Sequence, residues 1–198
     1  QEFEGTEDTK PGHDENRKSV YTPPQFLPQS MDSVDLESSL ISFRTGIELP
    51  VILTCRPERQ GGYFPGSEKE RIEVLTKAIK SGVSCIHLET DIESKQREKL
   101  LKLAGDSTKI ISSIHYEQSP GSPDEIIEEI DEISDSGNII KIVFNTGGKK
   151  DALKLFDVAW RTRDSDNKLS IMGLGAGGDW TRIHAPLLNQ SLVYTTME

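Results

Sequence analysis

Apolar and polar residues alternate along the chain with two different periods, which predict strands and helices in regular succession. Short apolar runs rich in β-branched residues, bounded by turn-forming residues, are typical of strands buried in a parallel sheet. The run 138–144 is a clear example, because Gly137 precedes it and Gly147 and Gly148 follow it. On this basis we predict strands at 49–55, 83–89, 109–114, 138–144, 169–173 and 191–195.

Helical periodicity occupies the intervals between these strands. Ser67 with Glu70 three residues later forms a capping-box pattern, in which the two side chains satisfy free backbone N–H groups at a helix start. Pro123 stands at the first position of a later helix, and Gly82 and Gly137 end the two helices concerned. In the first helix of the chain the pattern predicts four buried positions: Leu36, Leu40, Ile41 and Phe43.

Six strands joined by helical crossovers predict an α/β protein with a parallel sheet and right-handed connections. A doubly wound open sheet and a TIM-type (β/α) barrel both fit this order. No G-x-G-x-x-G motif follows the first strand, which argues mildly against a dinucleotide-binding sheet. The helices of the crossovers are predicted at 34–44, 67–81, 91–103, 122–137 and 150–163, with a short one from 179.

Composition separates the first 33 residues from the rest. Residues 1–33 are rich in Glu, Asp, Pro, Gly and Ser, and they hold few large apolar side chains. Such a segment buries too little surface to offset its ordering entropy. We therefore predict an irregular or disordered tail or surface insertion at 1–33 and an α/β domain at 34–198.

Charge and apolar content narrow the class of function. The chain has 198 residues, a formal net charge of −10 and 34% hydrophobic residues, and this acidic balance argues against direct nucleic-acid binding. It contains no apolar run of the roughly 18 residues that a membrane span needs, and no signal peptide is predicted. Cys55 and Cys85 are isolated and lack metal-ligand spacing. They are therefore predicted to be buried free thiols in a reducing compartment, either cytoplasm or nucleus.

Lys141 is the one charged residue inside the apolar run 138–144. Desolvation of an ammonium is costly, so burial lowers the pKa of a lysine, and a neutral amine attacks carbonyl groups. The structural alternative is an edge strand with the lysine head group in water, or an ion pair. From this strand alone both interpretations stay open, and the structural one is the more common.

Other polar residues stand at the carboxyl ends of the predicted strands. Arg56, Glu89 and His115 lie at or just after strand ends, and Arg182 lies beyond a glycine-rich loop. In a barrel the βα loops converge at this end and build the active site. A carboxylate, an imidazole and the Lys141 amine on three neighbouring strands could form an iminium with a ketone and move the proton on its adjacent carbon. Each residue also has a structural alternative: Glu89 as a helix-start carboxylate, His115 as a loop residue.

Five segments resemble type I 3-dehydroquinate dehydratase. The similarity runs in the same order over about residues 34–195, and it is greatest to fungal versions of the family. Those versions occur in a pentafunctional shikimate-pathway polypeptide and in a quinate-pathway repressor. The segments are LPVILTCRPERQGGYFPGSEKER, IHLETD, SSIHYE, NIIKIVF and GLGAGGDWTRIHAPLL.

The resemblance implies a fold, a reaction and roles for individual residues. The family fold is an eight-stranded (β/α) barrel, so we expect an incomplete TIM-type barrel whose first two strands are missing or replaced. The resemblance makes Lys141 the Schiff-base amine, His115 the general acid/base and Glu89 its partner. Arg56 and Arg182 would bind substrate hydroxyls and carboxylate. The implied reaction dehydrates 3-dehydroquinate to 3-dehydroshikimate, with no cofactor and no metal.

The chain departs from the family pattern at several points that bear on activity. The family's Glu-Leu-Arg strand has no match in residues 1–33, and its closing serine and Ala-Pro-Gly-Gln loop have no match before Glu198. The methionine of its Met-Gly segment is Leu174 here, and its serine is Thr181. Six strands also leave two edges of an eight-stranded barrel exposed.

Two functions follow from the resemblance and these departures. The first is a regulatory domain of a fungal quinate-utilisation repressor, weakly catalytic or not catalytic. It would bind a carboxylated cyclic polyol (3-dehydroquinate, quinate or 3-dehydroshikimate) or a partner activator protein. The missing elements favour it, because positioning supplies much of a rate enhancement. The alternative is an active type I 3-dehydroquinate dehydratase. The exposed sheet edges further predict a homodimer.

Overall fold

Five parallel strands lie side by side in chain order, β1-β2-β3-β4-β5. The computed structural model describes residues 33–195. The sheet curls into an incomplete (β/α) barrel, which confirms the predicted fold class. The strands are β1 Ile52–Leu53, β2 Cys85–Glu89, β3 Lys109–Tyr116, β4 Ile139–Gly147 and β5 Leu169–Ala176.

Helices make the crossovers between these strands, and two of them begin at reciprocal caps. The Ser67 hydroxyl accepts from the Glu70 N–H, and the Glu70 carboxylate accepts from the Ser67 N–H, as the capping-box pattern predicted. Ser122 and Glu125 make the same pair ahead of Pro123. The helices are α1 Leu36–Gly46, α2 Glu68–Lys80, α3 Ser94–Ala104, α4 Pro123–Glu132, α5 Lys149–Thr162 and α6 Asp179–Ile183, with 3-10 turns at Glu58–Gln60 and Ser134–Ser136.

The two faces of the sheet have different environments. Alternate strand residues such as Ile86 and Ile142 pack against the helices in two apolar clusters, and Leu75 and Leu155 are fully buried there. The residues between them point to the opposite, inner face of the curled sheet. Five polar residues of β2, β3 and β4 lie on that inner face: His87, Glu89, Ser113, His115 and Lys141.

The sixth predicted strand is wrong for the described residues. Residues 191–195 run beside β5 but form no strand. One backbone hydrogen bond joins Ser191 N–H to Leu169 C=O at 2.8 Å. The next ladder position is occupied by a side chain, because the Gln190 carboxamide oxygen accepts from Ile171 N–H at 2.7 Å. Side-chain bonds therefore replace the backbone ladder that a strand requires.

The buried face predicted for α1 is also wrong in part. Leu36 and Leu40 pack against the core, but Ile41 and Phe43 are 51% and 55% exposed, and no α1 residue is buried. The pattern is amphipathic, but α1 contacts the rest of the described chain along a narrower face than the pattern predicts. The α3 helix begins at Ser94 instead of Asp91, whose carboxylate accepts from Arg59 and Gln60.

Three further expectations can be compared with the structure only for residues 33–195. The irregular tail predicted at 1–33 falls almost wholly outside the described residues. Among the helices of residues 33–195, none combines the length and apolar character needed to cross a membrane. The same residues contain no group of three or more His, Cys, Asp or Glu side chains placed to hold a metal ion.

Candidate active site

The strand register brings four polar residues into one row across the inner face. Glu89 is paired with Ser113, Ser113 with Lys141, and Lys141 with Ser170. All four are buried, and Lys141 is only 4% exposed. Because the serines on both sides of Lys141 are small, the row leaves space around its long side chain. The structural alternative of an amine in bulk water is therefore wrong.

Lys141 contacts the imidazole predicted to work with it. Lys141 Nζ lies 3.0 Å from His115 Nε2, within hydrogen-bonding distance. His115 stands beside Val143 in the register, one pleat beyond the row of Lys141 and closer to the carboxyl end of the sheet. Two residues predicted from separate strands thus meet within hydrogen-bonding distance.

Burial and nearby positive charges shift both groups toward their neutral forms. Burial, together with the Arg56 and Arg182 guanidinium groups, lowers the pKa of Lys141 to about 7, and the Glu89 carboxylate opposes this shift. Burial, with Lys141 and Arg56 nearby, lowers the pKa of His115 to about 2. At neutral pH the site therefore holds a neutral imidazole beside an amine that is neutral in a large fraction of molecules. This pair can supply a nucleophile and a base.

Glu89 has a different closest partner from the one predicted. Its Oε2 forms an ion pair with Arg71 Nη1, and both side chains are 0% exposed. Arg71 also donates to Glu68 and to the Cys55 carbonyl. Burial raises the pKa of the Glu89 carboxyl, and the Arg71 guanidinium opposes that shift.

Glu89 and His115 do not bond to each other in this structure. Glu89 lies opposite Ser113, so His115 is two residues further along β3, a rise of roughly 7 Å. Glu89 Oε1 and His115 Nδ1 are both buried without a hydrogen-bond partner among the described residues. The partnership of Glu89 with His115 stays a prediction.

The two predicted substrate-binding arginines flank this row. Arg56 Nη2 donates to Gly61 C=O at 3.2 Å, and its buried Nε has no partner among the described residues. Arg56 and His115 line a cavity of about 440 Å³ together with Asn145 and Leu174. Arg182 donates from Nη1 to Gly173 C=O at 2.7 Å and from Nε to Tyr194 C=O at 3.0 Å. The Arg182 side chain therefore links two backbone carbonyl groups in this structure. Its role toward a substrate stays a prediction.

Sequence reasoning missed three residues of the site. Arg71 follows the helical spacing of the buried residues Val74, Leu75 and Ala78, so the α2 pattern itself contained the signal. Gln60 spans two loops, since its Oε1 accepts from the His115 N–H at 3.0 Å and its Nε2 donates to Asp91.

Tyr194 is the third missed residue, and it lies in the segment wrongly predicted as a strand. Its ring centroid is 4.5 Å from Lys141 Nζ, and its hydroxyl is 2.5 Å from His87 Nε2. No local pattern around Tyr194 indicates these contacts, because His87 lies 107 residues away in sequence.

Comparison with known proteins gives the chain relatives over most of its length. The family model of type I 3-dehydroquinase matches residues 25–198. Proteins named 3-dehydroquinate dehydratase from Methanosarcina acetivorans and Methanosarcina barkeri are 30% and 31% identical to it. The alignments cover 76% and 82% of this chain, and 64% and 70% of those proteins. The chain thus spans about two thirds of the length of these relatives.

Solved structures show the same fold. The type I 3-dehydroquinate dehydratase of Clostridium difficile, with covalently modified comenic acid, superposes with a TM-score of 0.73 at 20% identity. That match covers 79% of this chain and 64% of the other. The dehydroquinate dehydratase and shikimate dehydrogenase of S. pombe gives a TM-score of 0.66 at 28% identity, over 78% and 30% of the two chains.

These matches agree with the incomplete (β/α) barrel of the described residues. The family model covers most of the chain, and solved structures named as 3-dehydroquinate dehydratases share its fold. The chain belongs to the type I 3-dehydroquinase family.

Proposed function

We propose that this chain dehydrates 3-dehydroquinate to 3-dehydroshikimate through a Schiff base on Lys141. One observation carries the proposal: a buried amine with a pKa near 7 lies 3.0 Å from a neutral imidazole on the inner face of the sheet. A lysine in such an environment is nucleophilic at neutral pH.

The first step joins Lys141 to the substrate ketone. The neutral amine bonds to the carbonyl carbon, and the carbonyl oxygen leaves as water with the two amine protons. Protonation of the resulting imine gives an iminium that acidifies the adjacent C–H bond. His115 Nε2 lies 3.0 Å from the Lys141 amine before the reaction, so it is next to the bound substrate once the imine has formed.

The second step is the elimination. Neutral His115 takes the proton from the carbon beside the iminium, and the bond to the hydroxyl on the next carbon breaks. The imidazolium returns that proton to the leaving oxygen, which departs as water. Hydrolysis of the conjugated imine then releases 3-dehydroshikimate and restores the Lys141 amine.

Three other charged residues have proposed supporting roles. Glu89 supplies negative charge that favours the cationic imine and the transient imidazolium, since it already opposes the lowering of the Lys141 pKa. Arg56 and Arg182 supply positive charge for the substrate carboxylate. Arg56 is the better placed of the two, because its Nε has no partner within residues 33–195 and it borders the cavity beside His115.

The comparisons support the enzyme hypothesis better than the regulatory one, because the relatives reported above are named as dehydratases. The fungal repressor context, a partner activator protein and a homodimer through exposed sheet edges stay hypotheses from the sequence. Light scattering of the purified chain tests the homodimer directly.

The decisive experiment separates Schiff-base formation from turnover. The chain is mixed with 3-dehydroquinate and borohydride, and the reduced adduct is located by peptide mass spectrometry. In parallel, ultraviolet absorbance follows the conjugated enone product. We expect an adduct on Lys141 and enone formation, both abolished in Lys141→Ala and retained in Lys150→Ala, an exposed lysine on α5.

The other results discriminate between the hypotheses. Adduct without enone would favour the weakly catalytic regulatory domain. The absence of both in a folded protein would refute the proposal. His115→Ala is expected to keep the adduct and lose most enone formation, since loss of a general acid/base typically costs about 10²–10⁴-fold in rate.

A further inference from the structure

Tyr194 covers the amine of Lys141. Its ring centroid is 4.5 Å from Nζ, and Lys141 is only 4% exposed. A ketone carbon has to come within about 3–3.5 Å of the nitrogen to react. With Tyr194 over Nζ on one side and His115 at 3.0 Å on another, little of the amine is open to an incoming carbonyl.

The hydroxyl of Tyr194 fixes the ring in this place. It lies 2.5 Å from His87 Nε2, and the two rings meet edge to face with centroids 5.5 Å apart. Burial lowers the pKa of His87 to about 3 and raises that of Tyr194 to about 12. A neutral imidazole accepting from a protonated phenol is therefore the stable arrangement at neutral pH.

The segment that carries Tyr194 lies outside the strand ladder of the sheet. Ser191 N–H bonds to Leu169 C=O at 2.8 Å, Ser170 Oγ donates to Leu192 C=O at 2.8 Å, and Arg182 Nε donates to Tyr194 C=O at 3.0 Å. A segment held outside a ladder opens locally at lower free energy than a strand within one. The Tyr194 ring can therefore move without unfolding the sheet.

We propose that Tyr194 is a removable cap on Lys141, and that a carbonyl compound bonds to the amine only after the ring leaves its position over Nζ. The proposal takes Lys141 as the reacting amine of the proposed function. It adds that the site is closed in the absence of ligand, and that the segment at 191–195 controls entry.

Other groups near Lys141 do not provide this control. His115 contacts Nζ directly, and Arg56, Arg182 and Glu89 act on it through their charge. His87 takes part through its bond to Tyr194. Of these residues, only Tyr194 combines an aromatic face over the amine with a backbone outside the strands and helices.

The test measures how fast a small carbonyl reaches Lys141. Formaldehyde with cyanoborohydride methylates amines, and peptide mass spectrometry gives the rate at Lys141 relative to exposed Lys150 in the same molecule. The pH is set well above the Lys141 pKa of about 7, so that protonation does not limit the rate. The variants are Tyr194→Ala, Tyr194→Phe and, as matched control, Val193→Ala, whose side chain is on the same segment but 46% exposed.

We expect Tyr194→Ala to raise the Lys141 rate about tenfold, equivalent to ~1.4 kcal/mol of opening free energy. Tyr194→Phe keeps the ring but loses the bond to His87, so it should raise the rate about fivefold, equivalent to ~1 kcal/mol. Val193→Ala should match the unaltered chain. Circular dichroism establishes that each variant is folded. If Tyr194→Ala does not fold, the methylation rate of Lys141 in Tyr194→Phe tests the proposal.

Unchanged rates in Tyr194→Ala, or an equal rise in Val193→Ala, would overturn the cap. Because formaldehyde replaces 3-dehydroquinate in this assay, the cap and the proposed function can fail separately. A rise in Tyr194→Ala together with no adduct from 3-dehydroquinate would keep the cap and reject the dehydratase.

Discussion

Replacing Arg71 with methionine should destabilise the fold by leaving the Glu89 carboxylate buried without its cation. Both side chains of this ion pair are 0% exposed, and α2 supplies Arg71 while β2 supplies Glu89. Methionine occupies similar space and can pack among the neighbouring apolar side chains of α2. The cost therefore arises mainly from the charge and not from a cavity.

The magnitude follows from the burial of the pair. Removing one partner of a buried ion pair typically costs about 3–5 kcal/mol, because the other charge stays desolvated. Arg59 offers a matched control, since it also pairs with Glu68 and with Asp91 but its side chain is 43% exposed. An exposed pair is worth about 0–1 kcal/mol, so Arg59→Met should have a small effect.

The dependence on pH identifies the carboxylate as the cause. Without Arg71, burial raises the folded-state pKa of Glu89 above its unfolded value of about 4.3. Below that value Glu89 is protonated in both states and carries no penalty; the penalty grows as the pH rises toward the folded-state pKa. Arg71→Met should therefore cost more at pH 7 than near pH ~4.

Urea unfolding at both pH values measures these differences, and a second substitution isolates the charge. The double variant Arg71→Met with Glu89→Gln should recover part of the loss at pH 7, because the buried group is then neutral. A loss that is equal at both pH values and not reduced by Glu89→Gln would refute this account of the ion pair.

Three further predictions concern other buried groups. The pKa of Lys141 is about 7 in the folded chain and about 10.4 in the unfolded chain, so the unfolded chain binds more protons between pH 7 and about 10.4. The free energy of unfolding should therefore rise with pH across this range, and Lys141→Met should remove that rise in the urea midpoints. Thr181 Oγ1 accepts from Gly173 N–H at 3.1 Å and donates to Gly178 C=O at 2.8 Å. Thr181→Val should lower the free energy of unfolding by about 1–3 kcal/mol, and Thr181→Ser should lower it less, because serine keeps the hydroxyl. Equal losses in thermal or urea unfolding would contradict this. Cys55 and Cys85 are buried free thiols, and burial raises the pKa of Cys55 to about 12. A disulfide reagent should therefore label both thiols slowly until denaturant is added. Rapid labelling of the native chain would contradict their burial.

Local sequence signals determined much of the fold. The apolar runs placed β2 to β5 within a few residues of their observed positions, because a strand covered on both faces needs continuous apolar residues. Ser67 with Glu70 set the start of α2 through bonds between residues three positions apart, and Pro123 favoured the start of α4 through its restricted φ. The sequence also identified Lys141, since a charge inside such a run is visible without knowledge of the fold.

Tertiary structure decided which partners these residues meet. Glu89 was predicted as the partner of His115, but the docking of α2 places Arg71 against its carboxylate. Side-chain hydrogen bonds replace the backbone ladder that was predicted at 191–195, and in this arrangement the Tyr194 ring lies over the Lys141 amine. Such contacts join residues 18 and 107 positions apart in the Arg71–Glu89 and His87–Tyr194 pairs.

The physical reason lies in the range of the interactions. Capping and strand formation depend on neighbours within a few residues, so composition and spacing specify them. The partner of a buried charge or hydroxyl depends on strand register and on how a helix or loop docks, and these are set by packing over the whole sheet. The sequence by itself therefore predicted a reactive lysine on a parallel sheet, and only the assembled barrel determined its cap and the ion pair beside it.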